Sequence, residues 1–239
     1  MGKLQTAPAP HAVPTTSHLP PLEAGDHLDQ ATFHARYEAM PEDFRAELIG
    51  GIVFVPSPLR KEHGKHHALV MGWLTNYWIA TPGTETLDNA TAILGDFSEP
   101  QPDAALIIDP ACGGQTGLTE DGYVTGPPEL IVEVASSSAS IDLHAKRHDY
   151  EQAGVLEYVV ILLRQRAVRW FVLQEGAYQE VSAGGGGICT STGFPGLWLH
   201  APALLRLDGQ QVMDTLRQGL ETPTHAAFVR QLQERRSTS

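Results

Sequence analysis

The spacing of apolar residues along the chain switches between a helical period and a strand period, and the switches mark the expected elements. Over 66–80, Leu69, Val70, Trp73, Leu74, Tyr77 and Trp78 recur at helical spacing, which predicts a long amphipathic helix. A shorter helix is expected over 31–40. Residues 47–55 read as two strands turned by Gly50-Gly51 and stopped by Pro56-Ser57-Pro58. Strands follow over 85–94 and 104–108, then a Gly- and Thr-rich loop over 112–126. After Pro127-Pro128, the run Leu130 to Ala135 has the pattern of a buried strand. A helix is expected over 142–153, with serines before it as caps and Gly154 as its stop. Residues 156–163, 167–173 and 178–181 form an antiparallel meander, followed by a glycine link over 184–187. The apolar stretch 194–199 should close the sheet or cover its face. Residues 212–220 and 224–235 read as two short surface helices.

Three polar residues break this pattern at apolar positions. Glu133 interrupts the buried strand on the side shared by Ile131 and Ala135, where a carboxylate must meet a cation or keep a proton. Asp103 sits at the entry to the run 104–108. Lys146 falls on the stripe of Leu143, Tyr150 and Ala153 that otherwise faces the core. Two strand-borne carboxylates can hold a divalent cation if their strands are neighbours, and a nearby ammonium can position water or neutralise a phosphate; metal-dependent phosphodiester cleavage needs both. A buried Glu133–Lys146 pair that only fixes helix to strand satisfies the same spacing. Glu47, at the start of its strand, reads equally as an edge carboxylate or as a further member of this group. The pairs His63/His67 and His144/His148 are each four residues apart, and both read as solvent-facing or capping histidines.

These residues sit within an ordered set of segments: 45–53 with Pro56-Ser57-Pro58, His63, Pro102-Asp103, Glu133-Val134 with the serine run, Asp142, Lys146, Tyr150, 154–158 and 194–197. The set resembles the Uma2 family (DUF820) of the PD-(D/E)XK nuclease superfamily, over about 31–207. The resemblance implies an α/β, restriction-endonuclease-like fold with a mixed, bent β-sheet flanked by helices. It implies Asp103, Glu133 and the Val134 carbonyl as ligands of Mg²⁺ or Mn²⁺, Lys146 as the catalytic lysine and Glu47 as an additional acid. It further implies DNA as substrate and a homodimer. His63 gains weight from it as a groove residue. Two departures stand out. The superfamily's lysine lies two residues after the strand glutamate, where this chain has Ala135, and the family's Glu-Tyr-Trp-x-Val-Asp reads Glu157-Tyr158-Val159-Val160-Ile161-Leu162 here.

Composition adjusts the picture in three places. A length of 239 residues gives one sizeable core, expected over 23–210, with a disordered leader over 1–22 and a helical tail over 211–239. The leader opens with a match to the myristoylation pattern at 1–6, and no apolar run reaches a membrane-spanning length. Cys112 and Cys189 lack metal-ligand spacing and read as free thiols in a reducing cytoplasm. The formal charge of −12 argues against a general nucleic-acid binder, so a nuclease of this charge needs a local basic surface, a metal or a basic partner; the best local cluster is Arg60, Lys61 and Lys65, with Arg147 near the three polar residues. Two other functions fit the same residues: a catalytically inactive binding or assembly protein with an acidic face for a basic partner, and a hydrolase of small phosphate esters.

Overall fold

The chain joins the fold at Leu22, whose side chain is buried with Phe33, Ala46, Leu48 and Val53. The structure, a computed structural model, describes residues 19–56, 58 and 60–238. Most of the expected leader, including the 1–6 pattern, lies outside the described residues. Its last residues belong to the fold: Arg36 of helix α1 (Gln30–Glu38) donates to the Pro20 carbonyl at 2.9 Å. Asp29 caps that helix by accepting the Thr32 amide.

The expected hairpin forms as β1 (Glu47–Ile49) and β2 (Ile52–Phe54). Gly50 and Gly51 both take positive φ in its turn, a conformation that glycine adopts without steric cost. Helix α2 (Lys61–Ala80) starts five residues before the predicted boundary at 66, because its first turns bury His63 and His66 rather than apolar residues. The strand expected over 85–94 divides into β3 (Thr84–Asp88) and β4 (Ala92–Ile93), with Asn89 at positive φ between them. After β5 (Ala104–Ile108), the loop expected over 112–126 contains β6 (Gly117–Leu118) and β7 (Val124–Thr125), which join β4 in a small sheet.

Strand β8 (Leu130–Ala135) leads into a helical segment in three parts. These are α3 (Ala139–Ile141), a wide π turn (Asp142–Lys146) and α4 (Arg147–Ala153), which ends on Gly154 at φ 89. The meander follows as β9 (Glu157–Leu162), β10 (Ala167–Gln174) and β11 (Ala177–Val181). The chain closes with β12 (Ile188–Thr190), β13 (Trp198–His200), α5 (Ala201–Arg206), α6 (Gly209–Leu220) and α7 (Pro223–Thr238).

The main sheet runs in the order β11-β10-β9-β8-β5-β3. Its β8/β9 pair is parallel and its other pairs are antiparallel, so the sheet is mixed as expected. Alternation along β8 divides the core in two. Leu130, Val132 and Val134 pack with Trp73 and Leu74 of α2 and Leu216 of α6, whereas Ile131 and Ala135 pack with Tyr150 of α4. Helices therefore flank both faces. The expected tail boundary at 210/211 cuts through α6, whose Val212 and Leu216 are buried in the main core. Each such side chain contributes roughly 1.5–3 kcal/mol of burial. The C-terminal helices thus belong to the domain, and α6 is not a surface helix.

Candidate active site

Glu133 points to the α4 side of the sheet, as the alternation of β8 dictates, and its residue is 4% exposed. Lys146, at the end of the π turn, reaches it. The Lys146 Nζ lies 2.8 Å from Glu133 Oε1 and 2.8 Å from Glu47 Oε1. Tyr150, one turn further on, donates its hydroxyl to the same Glu133 oxygen at 3.0 Å. Glu47 Oε1 also accepts the Gln101 amide at 2.7 Å, which ties the first hairpin to the entry of β5. The amine therefore does not snorkel to water; it bridges two acids that lie 86 residues apart in the sequence.

Asp103 enters from the neighbouring strand. Its Oδ2 accepts the Val134 amide at 2.7 Å. His63, expected to face solvent or cap a helix, is buried instead and lies 2.9 Å through Nδ1 from the Val134 carbonyl. A carbonyl only accepts, so Nδ1 carries the proton and Nε2 is turned to Asp103 Oδ1 at 3.5 Å. That Nε2 is buried without a hydrogen-bond partner among the described residues. His67 Nε2 lies 2.8 Å from the Asp103 carbonyl and completes the seam between α2 and the start of β5. His144 and His148, the other pair, are exposed.

A fourth acid, Asp142, is buried at the head of the π turn and accepts the Ser138 hydroxyl at 2.6 Å. Burial raises its carboxyl to about 6, with the Asp103 and Glu47 charges adding to the rise and Lys146 opposing it. Burial likewise pushes Glu133 well above the usual carboxylate range, against the pull of Lys146. For Asp103 burial acts upward too, but the His63 contact, the Val134 amide and Lys146 together hold it below its ordinary value. The His63 imidazole is raised, chiefly by its contact with Asp103. Lys146 loses stability as a cation through burial, yet Glu133, Glu47 and Asp142 raise its pKa and keep it charged. Four acids thus surround one ammonium, and two of them are pushed toward neutrality.

The Uma2 family profile, described as "Putative restriction endonuclease", matches residues 31–203, well over half of the chain. The chain belongs to the Uma2 family. The fold is also that of a solved structure described as a "putative nuclease belonging to DUF820" from Anabaena variabilis ATCC 29413. The two share a TM-score of 0.57 and 14% identity, over 72% of this chain and 97% of that one. No curated protein matches.

Within this Uma2 fold the donor set suits a hard divalent cation bound through few protein ligands. No group of three or more His, Cys, Asp and Glu side chains among the described residues has the arrangement of a full metal cage. Mg²⁺, however, is commonly held by one or two carboxylates with water filling the remaining positions. Among the described residues, Glu133 Oε2 receives no hydrogen bond and Asp103 Oδ1 faces only His63 Nε2 at 3.5 Å, so each acid keeps an oxygen for such a role. The surplus of acids over ammonium is the charge imbalance that a cation relieves.

Asp142 and the Tyr150 hydroxyl join the site without having stood among the three out-of-pattern polar residues. The available signal was the run Asp142, Lys146, Tyr150 at steps of four, which puts three polar groups on one stripe. The π turn widens the helix there, a distortion often found at functional sites. Besides Glu99, two further buried acids, Glu129 and Glu157, carry no periodic signal. Glu129 accepts the Ile108 and Gln115 amides, whereas Glu157 accepts the Trp170 indole N–H and four donors from Ser191, Thr192 and Gly193. Both are structural ties outside the candidate site.

Proposed function

We propose that this protein is a divalent-metal-dependent endonuclease that hydrolyses DNA phosphodiester bonds at the Asp103–Glu133–Lys146 centre. The observation that carries this reading is the Lys146 ammonium, buried 2.8 Å from both Glu133 and Glu47. Asp103 and Glu133 would hold Mg²⁺ or Mn²⁺, with the Val134 carbonyl available as a third donor. Such a cation polarises a phosphate and lowers the pKa of an attacking water. Lys146 Nζ orients that water and offsets negative charge on the phosphate. Tyr150 fixes the Glu133 carboxylate by bonding one oxygen and leaving the other available. His63 holds the Val134 carbonyl on one side and faces Asp103 on the other, so that the end of β8 and the start of β5 keep their spacing. Glu47 keeps Lys146 directed at Glu133.

Nicking of supercoiled plasmid in Mg²⁺ or Mn²⁺ tests this directly. Lys146→Ala and Glu133→Gln should each slow cleavage by roughly 100- to 1,000-fold, the typical effect of removing one electrostatic stabiliser. Cleavage by either variant at the parent rate refutes the assignment. The second reading is a nuclease-fold protein without activity that binds a basic partner. It is favoured by the two donors already engaged on Glu133 Oε1 and by the formal charge of −12. A parent protein that takes up no Mg²⁺ or Mn²⁺ in calorimetry and leaves plasmid intact points to that alternative.

A further inference from the structure

Glu47, Asp103, Glu133 and Asp142 outnumber the one lysine among them, and the whole chain has a formal charge of −12. A phosphodiester chain approaching this centre is repelled unless cations flank it. Several arginines elsewhere are matched by acids: Arg36 by Asp26, Arg169 by Glu180, Arg217 by Asp214 and Arg236 by Asp109. Other exposed cations differ: Arg45, Arg206 and Arg230 make no ion pair among the described residues, and five more fall on two segments of the chain. Arg60, Lys61, Arg164 and Arg166 are exposed and make no ion pair among the described residues, and Lys65 approaches Glu62 only at 4.0 Å.

The two segments that carry these five meet at the last residues of β8. The first turns of α2 are fastened there by His63 on the Val134 carbonyl and His67 on the Asp103 carbonyl. The β9–β10 turn is fastened there from the plane of the sheet, where the Leu163 amide donates to the Ala135 carbonyl at 3.0 Å. Arg166 sits in this turn at φ 52, and Leu162 pairs with Ala167 immediately behind it, so Arg164 and Arg166 project from a short connection between paired strands.

We infer that the DNA phosphate backbone is gripped on two sides of the acidic centre, by Arg60, Lys61 and Lys65 at the start of α2 and by Arg164 and Arg166 in the β9–β10 turn. This rests on the nuclease reading above for the choice of ligand. The arrangement reconciles an acidic protein with an anionic polymer: the cations stand at the rim, and the carboxylates stay inside for metal.

Fluorescence anisotropy with a short labelled DNA duplex in Mg²⁺ tests the grip, using Glu133→Gln as a common slow-cleaving background. Adding Arg60→Glu/Lys61→Glu or Arg164→Glu/Arg166→Glu should weaken binding by about ten-fold or more. Each pair should also flatten the slope of log K against log[salt] by about 1 to 2. Arg217→Glu/Arg230→Glu, made on α6 and α7, should bind as the background does, and thermal melts check that all of these proteins are folded. Folded rim variants that bind like the background with the same salt slope overturn the inference, as does a background protein with no affinity for the duplex. The catalytic reading fails separately, by plasmid cleavage at the parent rate in Glu133→Gln, an outcome that leaves the binding comparison intact.

Discussion

Lys146 shows how one side chain ties stability to chemistry. Lys146 is 5% exposed as a residue and the Glu133 it meets 4%, so removing either partner leaves the other as a nearly dry charge. Lys146→Met should lower stability in chemical denaturation by about 3–5 kcal/mol. Glu133→Gln/Lys146→Met should recover part of that loss; a double variant no more stable than Lys146→Met would mean the pair is not coupled. The same crowding of charge sets a pH dependence. Asp142 keeps its proton up to about 6 in the fold rather than to its ordinary 3.8. The folded state therefore binds a proton that the unfolded chain has already released, so this group favours folding below 3.8 and loses that advantage as pH rises through about 6. The loss amounts to about 3 kcal/mol at most. His63, raised by Asp103, acts in the same direction at higher pH. Metal-free protein should melt at a lower temperature at about pH 8 than at about pH 5, and added Mg²⁺ should raise the melting temperature more at the higher pH. A metal-free profile that rises from pH 5 to 8 would contradict this account of the four acids.

Elements built on a clean period were readable from the sequence, and those built on irregular contacts were not. The alternation of Leu130, Val132 and Val134 against Glu133 gave the correct faces of β8 because a strand's side chains must alternate. The meander was legible for the same reason. Apolar stripes located α2 but not its first turns, where His63 and His66 do the burying, and nothing in the spacing of Asp142 to Lys146 separates a π turn from an α turn. The site was legible as three polar residues out of pattern, whereas their partners were hidden: Tyr150 looks like core until its hydroxyl is seen on Glu133. Glu157 is the clearest case of a missed strut. One oxygen accepts from Ser191, Gly193 and both donors of Thr192, and the other from the Trp170 indole, which fastens the segment before β13 to the centre of the sheet. Glu157→Gln puts an NH₂ where donors converge, leaving buried groups unpaired, and should cost about 2–4 kcal/mol in thermal or chemical unfolding. A melting curve unchanged from the parent would show that this tie carries no stability.

At the scale of the molecule, the first hairpin, α2, β5, β8 and the helical segment after it each deliver one or two charged groups to one end of a mixed sheet, and the core on both faces holds them there. The C-terminal helices support this arrangement by burying Val212 and Leu216 in the α2 side of the core. No helix among the described residues is long and apolar enough to cross a membrane. What the assembled end of the sheet has in excess is negative charge, and the account requires that excess to be answered by a divalent cation between the two strand-borne acids. Crystals soaked in Mn²⁺ and measured at its absorption edge address that requirement directly: an anomalous peak is expected between the carboxylates of Asp103 and Glu133, next to Lys146. Density map peaks only at surface acids, with the Lys146 ammonium still closing the space between Glu133 and Glu47, would contradict it.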